Sequence, residues 1–328
     1  MPEAQDNDRV PFKDRSRRLA LFGSLAIAAG GGWLLLGLLH LALLLGIPGW
    51  PGGVEFPDDA RVHTMGATLY VLLGAAFIVI GTGSVRRRRW AKPFMLLLAW
   101  SWLCGGVAAA LLLPSLVDLA LGMSLAGAPG LDPTAVVLFK GILLAATVFF
   151  GVLVPTSLVW VYSDRHLERT CALHDSSPDW TGGRPSAVLG LSVGLVACGA
   201  VTGLAALRPA VPLFGWLVTG WPGALMLVAG GALFCGLAWA VYARHPGGWW
   251  GTTALLTLAG LSTWWTLLRV EAVAWLRALG YSVDSPSTDG SVVVDLAGWL
   301  TLGFTVLTVV YMVGIRRHFG KSTDSRHG

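Results

Sequence analysis

LALFGSLAIAAGGGWLLLGLLHLALLL, running from Leu19 to Leu45, decides how this chain folds: 27 residues with one titratable side chain, His40. A bilayer core about 30 Å thick is crossed by roughly twenty helical residues, so this stretch is long enough to span and too apolar to stay in water. The rest of the chain repeats its character. Of 328 residues 55% are hydrophobic and 12% charged, and the mean hydropathy is +0.67, whereas a soluble domain carries about 25% charged residues. Disorder needs low hydrophobicity and high net charge, so it is excluded with the soluble class. The formal charge of +5 does not point to nucleic acid, because the basic residues stand in short tracts between apolar runs, where topology signals belong.

Eight stretches qualify as spans: Leu19 to Leu45, Met65 to Val85, Pro93 to Leu113, Ala135 to Val161, Ser186 to Leu207, Pro222 to Ala243, Trp249 to Leu268 and Val292 to Ile315. Pro, Gly and charge separate them, as in Pro48 to Gly53, Arg86 to Arg89, Pro129-Gly130, Arg208-Pro209, His245 to Gly248 and Asp284 to Gly290. The expected fold is an all-α polytopic transmembrane bundle of about eight spans. Taken alternately, the loops and tails on one side carry eighteen Lys and Arg and those on the other carry four, Arg61, Arg208, Arg269 and Arg277. The positive-inside rule then places both termini in the cytoplasm. The first apolar run is too long for a signal-peptide core and is expected to remain as a span.

Internal similarity divides the chain further. Gly66-Ala67 and Gly74-Ala75-x-Phe77 match Gly223-Ala224 and Gly231-Ala232-x-Phe234 at a constant offset, and Gly151 with Arg165-His166 falls over Gly303 with Arg317-His318. Two parallel four-span repeats would read this way, with residues 19–163 and 186–315 as the halves, 164–185 as a linker, and 1–18 and 316–328 as tails. Shared Gly/Ala-rich packing among unrelated membrane helices would read the same way.

Ionisable residues inside a membrane are the first place to look for function. Here they gather toward the outer side: Lys140 inside the fourth span, His40 late in the first, Asp118 after Pro114, Arg269 and Glu271 at the end of the seventh span, Asp295 at the start of the eighth, and His63 in the first outer loop. One reading is an outward-facing polar site in which Lys140 pairs with Asp118 or Asp295 and His40 or His63 titrates. The other is interfacial placement, where Lys and Arg snorkel and Asp caps helices. Two further segments flank this set: Val270 to Tyr281, readable as a short surface helix, and Pro212 to Gly220, too short to span and readable as a re-entrant or interfacial piece.

No cofactor or metal is expected. Among seven His only His40 lies inside a span, which does not support a haem held by two His. Cys104, Cys171, Cys198 and Cys235 include no CxxC and none on the outer side, so outer disulfides are excluded. GxxxxGK[ST], GxSxG and HExxH do not occur; Gly30-Gly31-Gly32 lies in an apolar span and is read as packing. Trp50, Trp90, Trp180, Trp221, Trp249 and Trp250 fall near span ends, as an interfacial belt would.

Tyr162, Thr170-Cys171, Asp175, Pro178, Trp180-Thr181 and Pro185 leading into Ala187-Val188-Leu189, with Gly81-x-Gly83-Ser84, Arg89-Trp90-Ala91-Lys92, Phe214-Gly215, Pro222-Gly223-Ala224, Trp249-Trp250-Gly251 and Leu279-Gly280-Tyr281, form a pattern covering most of the chain. It resembles a family of bacterial polytopic membrane proteins to which no activity is assigned. The resemblance implies the fold and the membrane location, with a bacterial inner membrane as the expected setting. Where that family's loop carries Glu, Asp and Cys this chain has Ala172, Gly182 and Arg184, so the likeness supplies no metal ligands or thiol pair. The function expected is a non-catalytic membrane scaffold or partner-binding component, with the bilayer and an unidentified membrane protein as partners; the alternative is a small-solute transporter or binder using the outer charged cluster.

Overall fold

The computed structural model describes residues 14–44, 60–125, 133–175, 184–278 and 289–319. The chain forms a helix bundle: α1 Ser16–Leu44, α2 Ala60–Val85, α3 Ala91–Leu125, α4 Pro133–Val148, a π turn Phe149–Leu153, α5 Val154–Tyr162, α6 Arg165–His174, α7 Ser186–Ala205, strands β1 Ala210–Leu213 and β2 Trp216–Thr219, α8 Gly220–Tyr242, α9 Pro246–Arg269, α10 Ala272–Ala278 and α11 Asp289–Ile315. Among the described residues seven helices are long and apolar enough to cross a membrane, with α4, the π turn and α5 counted as one. The one remaining expected span, the seventh in chain order, is α9, which has the length, at 24 residues. Thr252, Ser262 and Thr266 dilute its apolar character, and all three are buried against protein.

Glycine sets how the first two helices meet. Gly23, Gly30 and Gly37 recur every seven residues of α1 and face Gly81, Gly74 and the Ala67–Tyr70 turn of α2. A Cβ on Gly30 would stand 2.8 Å from the Gly74 carbonyl oxygen, and one on Gly81 2.7 Å from that of Gly23. The backbones therefore touch directly, which is how membrane helices gain packing when lipid supplies no hydrophobic drive. Of the glycine triplet only Gly30 takes part; Gly31 and Gly32 face open space. Gly199 of α7 and Gly231 of α8 meet in the same way. The remaining major pairings are α3 with α5 and α9 with α11.

Prolines bend the ladder without ending it. The apolar run expected to stop at Leu113 continues through Pro114 to Leu125 in a single helix, because neighbouring groups can satisfy the carbonyl that Pro frees. Pro155 cannot donate to the Gly151 carbonyl, and the π turn lies just before it. There Gly151 is buried and packs on Gly106 of α3 so closely that a Cβ on Gly106 would overlap the Gly151 carbonyl.

The Pro212 to Gly220 segment is neither helix nor plain connector. It lies largely within an antiparallel hairpin with Leu213 opposite Trp216, closed by Phe214 and Gly215 at φ 45° and 95°, the two-residue turn with both centres left-handed. The turn is pinned to α9: the Ser262 hydroxyl donates to the Pro212 carbonyl and accepts from the Phe214 N–H at 2.9 Å, and Thr266 Oγ1 accepts from the Gly215 N–H. These bonds satisfy irregular backbone beside an apolar helix, where an unpaired group is costly. The expected surface helix after the seventh span is α10.

All the described basic stretches between spans lie at one end of the bundle, here called the basic end. Arg15 contacts Asp164 and Thr170, Arg88 contacts Asp175, Arg184 stacks on Tyr242, and Arg316 lies over Trp249 and Trp250. The buried core gathers there too, around Leu19, Met95, Tyr162 and Leu167 on one side and Val188, Val241, Trp249 and Met312 on the other. Trp249 is thus a core residue rather than part of an interfacial belt: it is 5% exposed and its Nε1–H donates to the Met312 carbonyl at 2.8 Å.

Candidate functional site

The charged residues expected on the outer side lie at the end opposite the basic one. Lys140 donates to Asp118 Oδ1. Asp118 is seven residues from the end of α3 and Lys140 seven from the start of α4, so the pair bridges the two helices roughly 10 Å below their connection. The neighbours of Lys140 on α4 are apolar and turned outward: Val137, Leu138, Phe139 and Ile142 are all exposed. Because α4 packs chiefly on α3 and the π turn, the pair lies on the flank of the bundle.

The other candidates are elsewhere and apart. His40 donates through Nδ1 to the Leu36 carbonyl at 3.1 Å, and its ring covers Gly66 and tilts against Tyr70, which stacks on Trp33. Arg269 lies over the Trp265 ring at 4.7 Å. Glu271 and Asp295 are exposed and make no side-chain ion pair or hydrogen bond among the described residues. His63 belongs to the first turn of α2, and its side chain, like the loop acids Glu55, Asp58 and Asp59, lies outside the described residues. Among the described residues the structure brings together Lys140 and Asp118, and Arg269, Glu271 and Asp295 do not join them.

The denser polar network is at the basic end, where sequence reading had only a motif. Asp175, whose side chain is 2% exposed, accepts from Arg88 Nη1 at 2.9 Å and from the Arg89 backbone N–H at 3.0 Å. Tyr162 donates to Ser84 Oγ at 2.9 Å, fully buried. Asp164 caps α6 by accepting the His166 N–H and holds Arg15 Nε at 3.0 Å. Burial works to raise the Asp164 carboxyl, but the His166 N–H and the Arg15 and His166 charges outweigh it and leave it below its ordinary value of 3.8. Asp14 is lowered as well, chiefly by the Ser16 hydroxyl and N–H that it accepts.

Two turns at this end share an unusual feature. Arg87 and Arg244 both have φ 56°, a conformation normally left to Gly at a helix C-terminus. In each, the next residue's N–H bonds five residues back, Arg88 to Gly83 and His245 to Ala240, and the arginine's own N–H bonds three back, Arg87 to Ser84 and Arg244 to Val241. Both helices end in the same closing motif.

Set against known protein families, curated proteins and solved structures, the chain matches none. What the geometry establishes is a multi-pass helical membrane protein. Among the described residues no group of His, Cys, Asp and Glu is arranged to hold a metal ion. Cys104, Cys171, Cys198 and Cys235 are free thiols.

Proposed function

We propose that this protein is a non-catalytic membrane component that binds another membrane protein. The observation that carries the reading is the position of the Lys140–Asp118 pair. A solute path needs its polar groups to converge between helices, whereas this pair stands on the outer flank of α3 and α4, and among the described residues Arg269, Glu271 and Asp295 do not meet it. A charge pair on a lipid-facing flank is costly unless polar groups meet it, and a partner helix carrying a hydroxyl or amide supplies them. The exposed apolar side chains that share its face of α4, Val137 and Leu144, three residues before and four after Lys140, then form the rest of the contact.

The basic end faces the cytoplasm in this reading, as the distribution of Lys and Arg supports, and a bacterial inner membrane is the setting. The chain consists of two parallel four-span halves. Support comes from Arg87 and Arg244, left-handed residues in identical closing motifs at the same offset that relates Gly74 to Gly231.

The test is gentle solubilisation of the full chain from its native membrane, followed by purification of wild type, Val137→Trp and Lys140→Leu. The expected result is one stoichiometric membrane protein retained by wild type and lost from both variants while their melting is cooperative. Retention unchanged in both variants removes this face as the contact. Solute uptake by wild-type proteoliposomes that is lost on Lys140→Leu replaces the reading with transport.

A further inference from the structure

Four consecutive arginines follow α2, and the structure divides their work. Arg88 and the backbone of Arg89 are held by the buried carboxylate of Asp175, and Arg87 takes the left-handed position of the closing turn. Arg86 is left over: it is exposed and its guanidinium makes no hydrogen bond or ion pair among the described residues. Arg86 and Arg88 line one cavity of about 450 Å³, together with Val79, Thr82, Gly83 and Trp90. Its shape is built in. A Cβ on Gly83 would stand 2.7 Å from the Trp90 ring, so the indole lies directly on the glycine. Asp175 fixes Arg88 from behind while leaving its side chain 45% exposed.

We infer that this cavity binds the phosphate of an anionic phospholipid. Two guanidiniums on a fixed turn are matched to phosphate oxygens, since each presents a planar fork of N–H donors. Trp90 beside them is the ring type that settles at headgroup depth. The cavity is graded in the direction a lipid needs. Val79 lies seven residues before Arg86, about 10 Å down α2, and is 58% exposed, so the wall passes from apolar to hydroxyl to cation along the course from acyl chain to headgroup. Free phosphate shares the chemistry of the charged end but gains nothing from the apolar one. Basic pockets at helix ends are a recognised form of anionic-lipid site.

The experiment uses the full chain in detergent and counts bound phosphatidylglycerol by native mass spectrometry, with phosphatidylcholine and inorganic phosphate as comparison ligands. Wild type is expected to retain one phosphatidylglycerol in preference to phosphatidylcholine, undisplaced by an equal concentration of inorganic phosphate. Arg86→Gln weakens that retention roughly tenfold, as loss of one charge-assisted phosphate contact does, with melting in phosphatidylcholine unchanged. Arg317→Gln, an exposed cation elsewhere on the same end, leaves retention within about twofold because it is not part of the cavity. Retention by Arg86→Gln equal to wild type overturns the site. Equal weakening by Arg317→Gln overturns it in favour of a diffuse basic surface. Displacement by equal inorganic phosphate overturns the lipid as the source of the phosphate.

Discussion

Lys140 has its carboxylate across the α3–α4 connection in Asp118, 22 residues away in sequence, whereas Asp295 on α11 does not meet it. Replacing Lys140 with Leu strands the Asp118 carboxylate on an apolar flank. Both side chains are partly exposed, so the cost falls between that of a surface pair and a buried one, about 1 to 3 kcal/mol. Adding Asp118→Asn should recover most of that loss and adding Asp295→Asn none; chemical denaturation of the three variants in one detergent reads it, and rescue by Asp295→Asn would sink the pairing. Asp164 carries a different prediction. Its carboxyl is held below 3.8 in the fold, so the unfolded chain takes up the proton first on acidification. The stabilisation is complete above the ordinary value and is lost as pH falls through the lowered one. Asp164→Asn should therefore melt below wild type at neutral pH, with the two curves converging in acid. A constant gap from pH 7 down to strong acid would contradict this account.

At the scale of the helix, neighbouring glycines have opposite roles. Gly106 touches the Gly151 backbone and has no room for a Cβ, while Gly105 faces open space. Gly106→Ala forces α3 away from the π turn and should destabilise by about 1 to 3 kcal/mol or more. Gly105→Ala gains helix propensity and should be neutral or stabilising by up to about 1 kcal/mol. Melting of the two single variants compares them directly, and equal effects would show that the close crossing does not form. Neither the sequence pair Gly105-Gly106 nor the triplet Gly30-Gly31-Gly32 announces which member makes contact, because that depends on the rotation of each helix against its partner. The hairpin was hidden for a related reason. An apolar segment with Pro212 and Gly220 at its ends reads as irregular until Ser262 and Thr266, about fifty residues on, are seen to bond its turn.

For the whole molecule, the described basic stretches meet at one end, and α9 counted with the seven apolar helices returns the chain to the side where it began. A reporter fused after Gly328 should share its side with the loop at Arg86 to Arg89, and one inserted at Asp58 or Ser287 should lie on the other. Fusions active only in the cytoplasm or only outside it distinguish these positions. A cytoplasmic signal at Ser287 would remove one of the last two crossings.

The sequence by itself determined that this chain crosses a membrane many times, and nearly where each crossing begins and ends. Burying twenty apolar residues in hydrocarbon, with every backbone group bonded inside its own helix, is a local requirement that a run such as Leu19 to Leu45 meets without help from the rest of the chain. It also separated the basic loops from the others, since charge is counted along the chain. Only the tertiary structure decided which helices touch, that Asp175 holds a turn 86 residues away, that Trp249 is core, and that Lys140 meets Asp118 on the flank. Those are contacts between distant segments, and their energies come from close approach and paired charge, which have no local signature.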